Sequence, residues 1–214
     1  MRDTEQHVRA SSEKEATWEQ DLRRFEARLG VKFKNKEILK QALTHSSSHN
    51  GRSRGVAKDN ERLEFLGDAV LELVISHLLF VRMEQSHEGQ LTQLRSQLVN
   101  RTALAQLGKE LNLPRYVKLG KGEASSGGAW KDSINCNAME AVLGALYLDQ
   151  SWDKVFRAIE RLFHRLIGSR QGTTPAKDPK SLLQEVSLSR FGALPRYVVL
   201  GGGSRTRSSR SRWC

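Results

Sequence analysis

Apolar positions along the chain fall mostly at helical spacing. Trp18, Leu22, Phe25 and Leu29 recur every three or four residues with Gly30 behind them as a C-cap, which predicts a helix from Trp18 to Leu29. Lys36 to Leu43 predicts a second short helix, followed by a loop rich in Ser, Gly, His and Arg from Thr44 to Asn60. Glu61 to Met83 is the longest and most apolar helix in prospect. Helical spacing returns from Leu91 to Leu111 with a break near Asn100, again from Ser133 to Leu148, and in a basic amphipathic stretch from Trp152 to Gly168. Between them, Lys118 to Asp132 is rich in glycine and serine and reads as a loop. No alternating pattern of strand type precedes residue 170, so this part of the chain reads as all-α.

The pattern weakens at both ends. Residues 1–17 are polar and without period, which suggests an extension ahead of a domain at 18–168. A linker composition follows at 169–177. Ser181 to Arg190 predicts a short helix and Arg196 to Leu200 a strand. Gly201 to Cys214 holds four arginines and no acid, the composition of a disordered tail that attracts phosphate.

Charge narrows the choice of partner. The 214 residues carry 35 Lys and Arg against 24 Asp and Glu, a formal charge of +11. Such an excess favours a polyanion, either nucleic acid or an anionic membrane surface. The longest apolar run, Ala69 to Val81, contains Glu72 and His77, and is too short and too polar to span a bilayer. The first twenty residues lack the apolar centre of a secretory signal. Cys136 and Cys214 are the only cysteines, which make neither a disulfide framework nor a zinc site. These features suggest a soluble, cytoplasmic protein with reduced thiols.

Candidate chemistry lies on two helices. On a helical wheel Glu61, Glu64, Asp68 and Glu72 fall within an arc of about 80°, with Leu63, Leu66, Val70 and Leu73 opposite. The rest of that helix is so apolar that it is expected to be buried nearly all round. A carboxylate stripe is ordinarily a solvated face, but on a buried helix it needs compensating cations. On the later helix Asn137, Glu140, Ala141, Gly144 and Leu148 share a face, and the small residues there would let another helix approach. If the acidic helix is that neighbour, Glu64, Asp68, Asn137 and Glu140 converge. Three carboxylates and an amide oxygen form a hard donor set suited to Mg²⁺ or Mn²⁺. Individual basic patches, including the Gln and Arg positions of Glu88 to Arg101, read equally well as plain helix surface.

The stretch Asn60 to Leu73 (NERLEFLGDAVLEL) resembles the signature of the ribonuclease III family. Gln41 to Ser47 (QALTHSS), Glu88 to Arg95 (EGQLTQLR), Leu119 to Gly128 (LGKGEASSGG) and Asp132 to Asp149, ending MEAVLGALYLD, resemble further family segments in the same order. The likeness runs from about residue 20 to 170. It implies an all-α endonuclease domain that works as a homodimer and cuts double-stranded RNA with a divalent metal, normally Mg²⁺. Precursors of ribosomal and messenger RNA would be its substrates. By position, Glu64 and Asp68 match metal-site carboxylates, and Glu140 matches the essential metal-binding glutamate. The resemblance makes Asp68 and Glu140 the catalytic pair. Glu61 matches an acidic position behind the ligands, or forms an ordinary salt bridge. Phe65 matches an aromatic that packs into the partner subunit, or is a plain core residue.

Two departures stand out. Asn137 occupies a position where the family most often has aspartate, which keeps an oxygen ligand and loses a charge. The change should weaken metal binding without abolishing it. Asp178 to Glu185 (DPKSLLQE) and Phe191 to Leu200 (FGALPRYVVL) resemble the start of a double-stranded-RNA-binding domain. Such a domain needs roughly 65–70 residues, so it looks incomplete here, as if truncated or shifted in frame. Gln184 and Glu185 match its RNA-facing positions, but one helix and one strand cannot bury a core. Alternatives to the nuclease are a catalytically impaired relative that only binds duplex RNA, and a helical phosphohydrolase of free nucleotides.

Overall fold

The structure, a computed structural model, describes residues 17–49, 59–168 and 179–197. Its helices are α1 (17–29), α2 (Lys36–Ala42), α3 (Glu61–Arg82), α4 (Glu88–Leu98), α5 (Arg101–Glu110), α6 (Lys121–Ser125), α7 (Asp132–Asp149), α8 (Trp152–Gly168) and α9 (Pro179–Phe191). No strand occurs among the described residues, and Thr44 and Lys118 form an isolated parallel bridge. The chain divides into two compact units, Met1–Thr173 and Thr174–Cys214, so that α1 to α8 lie in the first and α9 in the second.

Local chemistry sets the helix boundaries. Asn35 starts α2, its side chain accepting from the Glu37 amide at 2.9 Å. Asn100 accepts from the Ala103 amide at 2.9 Å. That cap satisfies a donor left over at a helix start, and it competes with one continuous helix, which is why the pattern breaks there.

Helix α7 is the centre of the first unit. Its Ala138, Met139, Ala141, Val142, Leu143, Ala145 and Leu146 are fully buried. It packs against α2, α3, α5 and α8. Contact with α3 is the most intimate. A Cβ on Gly67 would lie 1.8 Å from the carbonyl oxygen of Glu140, and one on Gly144 would lie 2.2 Å from that of Leu63. Two backbones this close leave room for glycine alone. The basic helix α8 turns Val155, Ile159, Phe163 and Ile167 inward, as its amphipathic pattern predicts.

Several sequence expectations are corrected. Helix α3 is not buried all round in the single chain: Phe65 is 80% exposed, Phe80 71% and Leu73 58%. Leu73 and Phe80 line an open apolar cavity shared with Leu91 and Thr92 of α4 rather than packing into the core. Leu148 is likewise exposed. The loop predicted from Lys118 to Asp132 contains α6 and a 3₁₀ turn, Gly128–Trp130. Arg196 and Tyr197 are not in a strand, while 198–200, the linker at 169–177 and the tail at 201–214 lie outside the described residues.

The glycine contact makes a stability prediction. Gly144→Ala should destabilise the protein by about 3 kcal/mol, since overpacking must push two helices apart. Gly89→Ala, where nothing lies within 4 Å of the added carbon, should stay within about 0.5 kcal/mol of the parent. Urea unfolding of both variants checks the difference.

Candidate active site

The crossing of α3 and α7 places side chains as well as backbones. Glu61, Glu64, Phe65 and Asp68 from α3 and Asn137 and Glu140 from α7 line one cavity of about 570 Å³. His45, Ser46 and Asn60 complete its wall. All six candidate residues of the nuclease region therefore meet in one place. Gln184 and Glu185 lie on α9, in the other unit.

The loop residues of this cavity are held by hydrogen bonds between loops. The His45 amide donates to the Lys118 carbonyl at 3.0 Å, and the Gly120 amide donates to Ser47 Oγ at 3.1 Å. His45 Nδ1 lies 2.9 Å from that same Ser47 hydroxyl, which fixes the ring. Asn60 ties the signature helix to this wall. Its amide donates to the Thr44 carbonyl at 2.9 Å, and its carbonyl accepts from the Glu64 amide at 2.8 Å. Asn60 is 2% exposed, and its Nδ2 has no hydrogen-bond partner among the described residues.

Charge is crowded here. Burial pushes the Glu140 carboxyl up to about 7, helped by the charges of Asp68 and Glu64. Burial also raises Glu64, and Glu61 and Asp68 add to the shift, while the Asn137 amide opposes it. One turn before Glu140, burial and the Glu140 carboxylate push the Cys136 thiol up to about 12. Its Sγ lies 3.7 Å from Glu140 Oε1. Cys136 is thus a neutral thiol rather than a nucleophile.

Oxygen donors that repel one another in a half-buried cavity suit a hard divalent cation, which would favour their ionised forms. Yet among the described residues no three His, Cys, Asp or Glu groups are already gathered to hold an ion. The reason is visible in the contacts: the Glu140 carboxylate leans on Cys136, and Glu64 leans on Asn137.

Comparison with known proteins fits this geometry. Residues 35–166 match the family described as Ribonuclease-III-like. The chain belongs to the ribonuclease III family. Among curated relatives, Ribonuclease 3 of Magnetococcus marinus is 45% identical over 183 residues, which cover 84% of this chain and 74% of that one. Ribonuclease 3 of Syntrophotalea carbinolica is 45% identical over 168 residues, 78% of this chain and 72% of that one. A solved nuclease domain of ribonuclease III from Campylobacter jejuni aligns with a TM-score of 0.62 at 37% identity, covering 66% of this chain and 95% of its own. A second structure of that domain also gives 0.62, at 35% identity, over 73% of this chain and 97% of its own. This member of the ribonuclease III family is accordingly a ribonuclease with an all-α nuclease fold.

Sequence reasoning did not single out His45, Ser46 or Asn60. The signal was present, since the first two lie in QALTHSS and the third opens the signature stretch. Nothing in residue type or helical spacing points from a polar loop to a cavity two elements away.

The raised Glu140 carboxyl predicts a pH dependence. Its folded pKa lies above the unfolded one, so the stability it contributes is present below about 4.5 and is lost as pH rises through 7. Without metal, Glu140→Gln should be more stable than the parent at pH 8 by about 1–2 kcal/mol, discounted for its partial exposure. That gap should shrink toward pH 5. Thermal unfolding in EDTA across this range checks it.

Proposed function

We propose that this ribonuclease is an endonuclease of double-stranded RNA that hydrolyses phosphodiesters with the help of a divalent cation, Mg²⁺ or in its place Mn²⁺. The observation that carries this reading is the convergence of Glu64, Asp68, Asn137 and Glu140 on one cavity from two helices locked by a glycine contact. Asp68 and Glu140 form the catalytic pair, with Glu64 and Asn137 as further ligands. A bound cation would supply an acidified water and neutralise charge building on the phosphate. Glu61 stands behind the ligands and adds negative charge. His45 and Ser46 line the same cavity as the carboxylates, and a backbone phosphate would lie among them.

Three further elements belong to the same reading. A homodimer forms through the exposed apolar face of α3, with Phe65 packed into the partner. The chain comprises a nuclease domain at 18–168, a linker at 169–177 and the start of an RNA-binding domain at 178–200, in which Gln184 and Glu185 occupy RNA-facing positions. Its substrates are precursors of ribosomal and messenger RNA in the cytoplasm, consistent with the absence of any described helix able to cross a membrane.

Asn137 supports a second reading, in which the chain binds duplex RNA and cuts poorly. An asparagine contributes an amide and no charge, and here that amide serves Glu64. The two readings diverge in one experiment. A long RNA duplex is incubated with wild type, Asn137→Asp and Glu140→Ala, with Mg²⁺ and with EDTA. Expected is metal-dependent cutting by the wild type, none by Glu140→Ala, and cutting by Asn137→Asp at roughly tenfold lower Mg²⁺, as for one added ligand charge. Cutting by Asn137→Asp alone would establish the impaired reading.

The dimer has its own check. Phe65→Ala should sediment as a monomer at concentrations where the parent is a dimer. Two monomers would contradict the assigned interface.

A further inference from the structure

A second polar concavity, about 710 Å³ in volume, lies between α1 and the 3₁₀ turn Leu113–Arg115 and shares no lining residue with the candidate active site. Arg24 and Arg28 reach it from successive turns of α1, and Arg115 reaches it from the facing turn. Asp21 is the one carboxylate in its wall, and it pairs with Arg24 at 3.3 Å. The guanidinium groups of Arg28 and Arg115 make no ion pair or hydrogen bond among the described residues. The floor is Tyr116, 6% exposed, with its ring 5.3 Å from that of Phe25.

Three guanidinium groups around one hollow repel one another unless an anion sits between them. The supports are rigid, so little ordering would accompany binding. Leu22, Phe25 and Leu29 root α1 in the core, and Leu113 and Pro114 root the turn. Asn112, at φ 58, is the single non-glycine residue with left-handed backbone among the described residues. It makes the sharp corner that brings Arg115 opposite α1, and it also lines the hollow. Guanidinium forks match phosphate oxygens, and the unpaired forks of Arg28 and Arg115 beside the Asp21-paired Arg24 give two free donors on stiff supports.

The geometry points to a phosphate-binding cleft between α1 and the Leu113–Arg115 turn, separate from the site of cleavage. Resting on the nuclease reading, we assign its ligand as a backbone phosphate of an RNA duplex that extends beyond the cut. The same chemistry would accept a free polyphosphate.

The test uses the full chain in EDTA, so that no RNA is cut. Duplex RNA affinity is measured against salt concentration for the parent, for the Arg28→Gln/Arg115→Gln double variant, and for Arg23→Gln, which removes an exposed arginine outside the cleft. Tripolyphosphate binding is measured calorimetrically on the same proteins. Circular dichroism confirms that each is folded. Expected is a salt slope lower by about one per cleft arginine, with little change for Arg23→Gln. Tripolyphosphate should bind the parent and be lost in the double variant. Loss of tripolyphosphate binding with an unchanged RNA slope would keep the phosphate site and assign it to free polyphosphate. Equal slope changes for Arg23→Gln and the cleft variant, or no tripolyphosphate binding and no slope change, would overturn the proposal. Since no arm depends on cleavage, failure of the nuclease reading would appear separately, in the duplex-cutting experiment.

Discussion

Everything near the candidate active site depends on the contact between Gly67 and Gly144. Two helix backbones that touch at a carbonyl cannot slide or tilt without breaking van der Waals contact along their length. Residues one turn away on each helix are therefore held at fixed separation. Glu64 and Asp68 flank Gly67, and Glu140 lies one turn before Gly144. The carboxylates meet because the glycines do. The long buried face of α7, wrapped by α2, α3, α5 and α8, keeps that crossing in place.

Such a crossing has an electrostatic consequence. Burial disfavours the charge on these carboxylates and their mutual repulsion adds to it, which raises Glu140 to about 7. Around them the chain is strongly basic, with a formal charge of +11. The general field of the molecule draws a polyanion in, while the cavity itself repels it until the acids are neutralised. Neutralisation by a divalent cation would turn a repulsive pocket into a receptive one. Asn137 adds an amide and no charge to this set, so it contributes no repulsion of its own.

Helical spacing made the fold class and most of α1 to α5, α7 and α8 legible, because amphipathic periodicity is a local property that the core then enforces. The meeting of α3 and α7 was legible too, through Ala141 and Gly144 on one face. Exposure was not. Phe65, Leu73 and Phe80 look like core residues by type, and only the arrangement of the described helices shows them to be exposed. Loop order was equally hidden: α6 is a five-residue helix inside a glycine-rich segment, stabilised by local turns rather than by an apolar stripe. His45, Ser46 and Asn60 join the site through backbone bonds to Lys118 and Thr44, pairings that no residue pattern announces.

The most direct measurement is a carboxyl-detected NMR titration of Glu140, first without metal and then with saturating Mg²⁺. The crossing of α3 and α7 as a shared cation site predicts a midpoint near 7 without metal, falling by about two units or more when the cation offsets Asp68 and Glu64. A midpoint near the ordinary glutamate value in both conditions would mean that these carboxylates do not act on one another, and it would contradict the site as described.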